Sequence, residues 1–574
     1  MDYDLIIRGG TIADGTNAPL FEDDVAVKDG KIVAVGKVSG KAKEEIDARG
    51  KLVTPGFVDV HTHYDGQATW EERLVPSSWH GVTTTVFGNC GVGFAPVRKS
   101  DHQGLIDLME GVEDIPGTAL HEGLKWDWES FPDYLDALDR RKHDMDICAQ
   151  LPHAPLRIYV MGERAMRLEP ATEKDRAEMR RLTAEAVRAG ALGVSTSRSF
   201  NHITSKGDPT PTLKAEEAEL TEMALGLKDA GRGVLQLIGN FGIDDRKRDL
   251  EMLRRIMRVS GRPLSITISQ RHKDTEGWRE MLDGLDASWA EGLPMRAQVA
   301  PRSIGSMQGL SLSRHPFWLH PSFQPLAKKS VAEKAAALRD PAMTAKLLSE
   351  KPSHKSAILM GRAENWDYTF PLGNPPDYEP PKEQSIGAVA KRQGRPPVEV
   401  AYDMMLEQDG HALLYSPNNN FAFYNLDATR EMIRHPHTCL GLSDGGAHVG
   451  YIADSGFPSF LLSFWGRDRK GEQIDIPWLV HWMTGATAEL VGLLDRGRIA
   501  RGYRADLNVI DFDRLGLSYP YLAYDLPLGG MRFMQKGYGY IATILNGIVT
   551  YREGDPTGVL AGKLVRGQQA TPTV

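Results

Sequence analysis

Several classes of protein are excluded by what this chain lacks. It has three cysteines in 574 residues, Cys90, Cys148 and Cys439. Three are too few for a disulfide framework and suit a reducing compartment, so a cytoplasmic setting is expected. No stretch reaches the roughly 18 uncharged apolar residues that a membrane span needs. There is no basic excess: 68 Lys and Arg against 76 Asp and Glu leave a net charge of -8. Neither nucleic acid nor an anionic membrane surface is therefore an expected partner. The start, MDYDLIIRGG, has no basic segment followed by a long apolar core, so no secretory leader is expected. No repeat recurs at a fixed period. What remains is 41% hydrophobic and 25% charged, ordinary for a soluble enzyme with a small-molecule substrate. The length allows one large α/β domain with a small companion.

The chain is organised around Lys51 to Tyr64, KLVTPGFVDVHTHY. An apolar, β-branched run ends there in His61 and His63. Residues two apart on a strand face the same way, so both imidazoles point at one spot, about 6–7 Å apart along the backbone. Convergent neutral imidazoles are a common start to a zinc site, and Asp65 follows at once. The plain alternative is a histidine pair serving only packing.

Downstream runs a β/α alternation. Strands are predicted at Thr83–Gly88, Asp146–Leu151, Ala191–Ser197, Gly233–Ile238, Leu264–Ser269, Met295–Pro301 and Thr438–Ser443. Helices are predicted between them. One has Thr172 as N-cap, Asp175 three residues on and Gly190 as stop. Another covers Leu213 to Ala230, and a third Asp245 to Val259. With the strand before His61 these make eight units, which predicts an α/β fold, a TIM (β/α)8 barrel over residues 55–502. Residues 1–54 read as short strands, with Asp29-Gly30 as a hairpin turn. They are too few to bury a core alone. Strands near 505–511 and 543–551 are their expected partners, so residues 1–54 and 503–574 are predicted to form one small β-sandwich. About 130 residues separate the last two barrel strands, far beyond a normal loop. This insertion, 303–435, is read as a substrate lid or wall, with an oligomer contact as the alternative.

Gly56 to His63, Gly-Phe-Val-Asp-Val-His-Thr-His, resembles the first-strand motif of the amidohydrolase superfamily. Tyr64-Asp65-Gly66-Gln67 and Gly88-Asn89-Cys90-Gly91 narrow the resemblance to the D-aminoacylase (N-acyl-D-amino-acid deacylase) branch. It implies a metal-dependent hydrolase of C–N bonds on a TIM barrel. Cys90 alone reads equally as a buried small hydrophobe; by resemblance it is the metal-bridging cysteine. Asp444, in Leu442-Ser443-Asp444-Gly445-Gly446, is a turn signal by itself; by resemblance it is a metal contact and the general base.

The family also places a histidine at the ends of strands 5 and 6, and here a gapless reading puts Gln236 and Gln270. Glutamine is a weak, neutral ligand for zinc. His272 and His202 are the alternative donors. The ligand set is therefore His61, His63, Cys90 and Asp444, with one tightly bound Zn2+ expected and a second doubtful. Arg198, Arg271 and Arg302 each follow a predicted strand and are candidates for a substrate carboxylate. His448 is a candidate for the pocket wall. His153 and Tyr159 are candidate oxyanion donors. The leading expectation is an N-acyl-D-amino-acid deacylase with Asp444 as general acid and base. A cyclic amidase or lactonase, a decarboxylase, and a metal-poor pseudoenzyme acting as a binding protein are the alternatives. A homo-oligomer is possible on sequence.

Overall fold

The computed structural model describes residues 1–353 and 364–573; residues 354–363, within the insertion, and Val574 lie outside the described residues. Eight barrel strands run in chain order: β1 Phe57–Asp59, β2 Val82–Phe87, β3 Asp146–Ala149, β4 Gly193–Ser197, β5 Val234–Ile238, β6 Leu264–Thr267, β7 Met295–Val299 and β8 Thr438–Leu440. β3 is interrupted at Gln150 and resumes as Leu151–Pro152, the piece that meets β4. All neighbouring pairs are parallel, and β1 to β3 and β4 to β8 are each bonded in sequence order.

The barrel closes between β8 and β1 through the segments that leave them, not through a ladder. Asp444 N donates to His61 O at 3.1 Å, His63 N donates to Gly445 O at 2.7 Å, and Thr62 bridges Gly445. Closure therefore sets the two site-bearing segments side by side at the C-terminal face, where barrels of this kind carry their chemistry.

Helices α1 His102–Glu113, α2 Glu173–Ala189, α3 Glu217–Ala230, α4 Arg246–Ser260 and α5 Gly277–Ala290 lie between strands. The predicted capping box opens α2: Asp175 N donates to Thr172 Oγ1 at 3.2 Å and Thr172 N to Asp175 Oδ2 at 2.8 Å. α3 starts four residues later than predicted, because Thr212 Oγ1 is tied back to Ser197 O at 2.6 Å and Glu216 is still extended.

The two chain ends meet as expected. Five N-terminal strands between Tyr3 and Pro55 and four C-terminal strands between Leu507 and Pro556 form one nine-stranded mixed sheet. They join where Leu52–Pro55 pairs antiparallel with Leu507–Ile510. Ile7, Val27, Val53, Leu507, Val509 and Ile544 fill its apolar face. A buried ion cluster ties this sheet to the barrel floor: Arg496 and Arg504 both reach Asp146 Oδ2, at 2.9 and 2.8 Å.

Between β7 and β8, strands Ile304–Gln308, Leu414–Asn419 and Phe370–Pro371 make a small antiparallel sheet. The helices beside it pack on Leu310, Phe317, Leu338, Tyr402 and Met405. No helix among the described residues is long and apolar enough to cross a membrane.

Candidate metal centre

His61 and His63 leave β1 with ring centroids 5.6 Å apart. His61 Nδ1 meets Gln298 Oε1 at 2.6 Å, and an amide oxygen only accepts, so His61 carries its proton on Nδ1. Gln298 is itself held by Ser265, its Nε2 donating to Oγ at 2.9 Å. His61 Nε2 is thereby bare, 3.3 Å from Cys90 Sγ and 3.5 Å from Asp444 Oδ1. His63 Nε2 lies 3.7 Å from the same Asp444 oxygen.

The Cys90 loop is built on glycine. Gly88 has φ 81°, and a Cβ there would sit 2.2 Å from Gln150 O. Asn89 bonds Thr62 O and Val86 O, at 3.1 and 2.9 Å, and Gly91 N donates to Ser195 Oγ at 2.9 Å. On the other side of the cluster, Asp444 has φ 48°, a conformation that Asp and Asn tolerate. Gly446, at φ 89°, lets the backbone pass His63 O, which a Cβ would meet at 2.9 Å.

His61, His63 and Cys90 put one ligand atom each within 4.8 Å of one another, and all three are buried. Asp444 is 17% exposed, so the cluster opens on its side. Donors about 2.0–2.3 Å from a tetrahedral metal stand about 3.3–3.8 Å apart, the range seen for the measured contacts. His63 Nε2 and Asp444 Oδ1 are buried without a hydrogen bond. A divalent cation fits this donor set.

The electrostatics agree. Burial keeps the rings neutral: His61 is lowered to about 4 and His63 well below its usual value. Burial, then Glu113, Asp444 and Asp65, pushes the Cys90 thiol well up. Burial also raises Asp444, and Asp454 and Asp59 add to it. A cation reverses this: it favours the thiolate and the carboxylates together.

The other candidates lie as follows. Gln236 is buried on β5, with neither amide atom hydrogen-bonded. Its register neighbours are Ser195, which holds the Cys90 loop, and Ser265, which holds Gln298. Gln270 is engaged elsewhere: Oε1 accepts from Ala422 N at 3.0 Å, Nε2 donates to Thr275 O at 3.4 Å, and its backbone exchanges two bonds with Asn420. It ties the insertion to the end of β6. His272 packs against Tyr368, with centroids 4.1 Å apart and the rings tilted by 37°. His202 bonds Ser197 Oγ through Nδ1 at 2.8 Å, and burial, then the charge of His61, lowers it to about 4.

His153 has both nitrogens engaged, by Thr196 Oγ1 and Glu219 Oε1, each at 2.8 Å. The Tyr159 hydroxyl donates to Glu129 at 3.1 Å. Arg302 is buried, paired with Asp454 at 2.7 Å and stacked 3.8 Å over Tyr378. Among the described residues Arg198 and Arg271 form no side-chain ion pair; Arg198 Nη1 meets Met252 Sδ at 3.5 Å, and burial lowers Arg271. His448 Nε2 is 3.9 Å from Asp444 Oδ2.

Two residues of this centre escape a reading of the sequence. Gln298 left one signal, a polar side chain on the inner face of an apolar strand. Glu113 left none. It ends α1, is buried, and its Oε1 lies 3.4 Å from His63 Nδ1. Burial raises it well above the usual carboxylate range, and Asp444 and Asp65 add to the shift.

An amidohydrolase family model matches residues 44–551. The chain belongs to the amidohydrolase family. It is 26% identical to the D-aminoacylase of Alcaligenes xylosoxydans xylosoxydans, over 98% of this chain and 97% of that one. It is also 26% identical to an N-acyl-D-aspartate deacylase of the same organism, over 88% and 86%. A solved D-aminoacylase structure covers 98% of this chain and 100% of its own, at 24% identity and a TM-score of 0.65. The N-acyl-D-glutamate deacylase of Bordetella bronchiseptica, solved with zinc and a phosphonate inhibitor, gives 22% identity and a TM-score of 0.65, over 99% and 100%. Within the family the chain is similar along nearly its whole length to members of the D-aminoacylase branch. With the His61–His63–Cys90 cluster, membership makes this amidohydrolase a metal-dependent hydrolase of C–N bonds other than peptide bonds.

Proposed function

We propose that this amidohydrolase is an N-acyl-D-amino-acid deacylase working with one zinc ion. The observation that carries the reading is the convergence of His61 Nε2, His63 Nε2, Cys90 Sγ and Asp444 Oδ1, three from buried residues and one from a residue whose side chain is partly exposed. His61, His63 and Cys90 would hold the ion, with Asp444 at its open side. Cysteine and histidine donors favour zinc over hard oxygen-seeking cations. A bound zinc acidifies water and polarises a carbonyl oxygen. Asp444 takes the proton of the attacking water and delivers it to the leaving amine. His448, beside Asp444, lines the pocket. Arg198 or Arg271 receives the substrate carboxylate, since the charge of Arg302 is already matched by Asp454.

The single-metal reading is supported by Gln270, whose amide is committed to Ala422 and Thr275. The deacylase reading is supported by full-length similarity to the D-aminoacylase of Alcaligenes xylosoxydans xylosoxydans; in the solved D-aminoacylase that shares this fold, one metal activates and the second attenuates.

The test is metal content per chain together with amine release from a panel of N-acetyl-D- and N-acetyl-L-amino acids. About one zinc, with turnover of D-substrates lost on chelation, supports the reading. Zinc with turnover only of hydantoins or dihydropyrimidines refutes deacylation and favours a cyclic amidase. That second reading is motivated by a 73-residue stretch 48% identical to allantoinase of Escherichia coli.

A further inference from the structure

Behind the donor cluster lies a carboxylate that no strand of the barrel supplies. Glu113 is the last residue of α1, and its position is built from several directions. Its carbonyl oxygen accepts from His448 N. Asp114, in the left-handed conformation at φ 52°, takes bonds from Gly450 N at 3.2 Å and Ser313 Oγ at 3.3 Å. The end of α1 is thereby pinned to the segment after Asp444. The side chain is 1% exposed. Among the described residues no lysine or arginine pairs with it; its neighbours are His63 Nδ1, 3.4 Å from Oε1, and His448 Nε2, 3.5 Å from Oε2.

A buried carboxylate without a cation costs several kcal/mol, so packing alone gives no reason for a glutamate here. Comparison with His61 supplies one. The Nδ1 of His61 is backed by Gln298, and its Nε2 faces Cys90 and Asp444. His63 has the same orientation, with Nδ1 toward Glu113 and Nε2 toward Asp444. Each ring thus has an oxygen behind it and a bare nitrogen toward the cluster; the His61 contact is a hydrogen bond, whereas His63 Nδ1 and Glu113 Oε1 stand 3.4 Å apart, each buried without a hydrogen bond. Metal-binding histidines are held this way, and a carboxylate behind the ring also raises its basicity.

We propose that Glu113 is a positioning residue: it accepts the Nδ1 proton of His63, fixes that ring with Nε2 bare toward the metal, and with its second oxygen holds His448 beside Asp444. This rests on the reading of His63 as a metal ligand.

The experiment compares the full-length wild type with Glu113→Gln and Glu113→Leu. Zn2+ affinity is measured by competition with a chromophoric chelator, and the melting of the metal-free proteins alongside. The expected result is a 10–100-fold loss of affinity in both variants, larger for leucine, with metal-free melting unchanged or raised. A merely structural glutamate predicts the opposite pattern, metal-free melting lowered in both, and that result overturns the proposal. Unchanged affinity in both variants also overturns it, while stoichiometric Zn2+ binding by wild type leaves the metal reading standing. Complete loss of binding in Glu113→Gln overturns it in another direction, making Glu113 a ligand. Wild type that binds no Zn2+ refutes the metal reading itself and the proposal with it.

Discussion

Asp444→Asn is the perturbation that most sharply separates chemistry from architecture here. The backbone tolerates it: φ at this position is 48°, where asparagine is as much at home as aspartate. The main-chain bond from residue 444 to His61 O, which closes the barrel, is untouched. The change replaces one carboxylate oxygen by an NH2 group of similar size in a side chain whose Oδ1 has no hydrogen bond. It also removes a negative charge close to Glu113, so the metal-free variant is expected to melt at or above the wild-type temperature.

What the amide cannot do is accept and return a proton. General acid–base catalysis contributes about 10²–10⁴-fold, or about 2.7–5.4 kcal/mol of barrier at 1.36 kcal/mol per decade. With His61, His63 and Cys90 intact, most of the metal should remain. The assay is amine release at saturating substrate, with metal content and melting measured on the same preparation. Turnover within a few-fold of wild type, at equal metal content, would refute Asp444 as the base. Loss of turnover together with the metal would leave it a ligand alone.

Metal removal should lower stability, because the cluster gathers carboxylates and a thiol that only a cation reconciles. Zn2+ present at about 1,000 times its dissociation constant adds about 4.1 kcal/mol, and equal melting with and without the ion would contradict this. Arg302→Met leaves Asp454 buried without its cation and is expected to cost about 3–5 kcal/mol, read as a shift in denaturant midpoint. Unchanged stability with a raised KM would instead assign Arg302 to the substrate. Gln270→Ala removes one side-chain bond to the insertion and one to Thr275, about 1 kcal/mol each. It is expected to raise KM at constant metal content, whereas a fall in bound metal would restore Gln270 to the ligand set.

The barrel was legible because it is written in local chemistry. Apolar runs of strand length alternate with helices, three of which stop at the glycines Gly190, Gly231 and Gly261, and the Thr172–Asp175 capping box needs only four residues to be recognised. The ends of elements were less legible. The run from Thr438 reads as extended through Ser443, yet the strand stops at Leu440, because Leu442 and Asp444 both take positive φ to turn the chain beneath His61. That turn is a requirement of the site, and the apolar pattern carries no trace of it. The insertion was visible only as excess length. Its sheet pairs Ile304–Gln308 with Leu414–Asn419, more than a hundred residues on, so no local window contains both partners.

The site divides in the same way. His61, His63, Cys90 and Asp444 sit where strand ends put them, and their types announce the chemistry. The residues that prepare those donors act across the fold. Gln298 is 237 residues from His61, and Gln270 meets Ala422 across 152. Glu113 meets His63 only because α1 is pinned beneath the segment after Asp444. A sequence states which atoms are able to bind a metal; which nitrogen of each histidine is bare is settled by distant acceptors, and those exist only once the barrel has closed. Substitution of Gln298 or Glu113 is therefore expected to leave the ligand set intact in sequence while weakening it as a site. A ligand motif identifies the chemistry, and tertiary structure determines its strength.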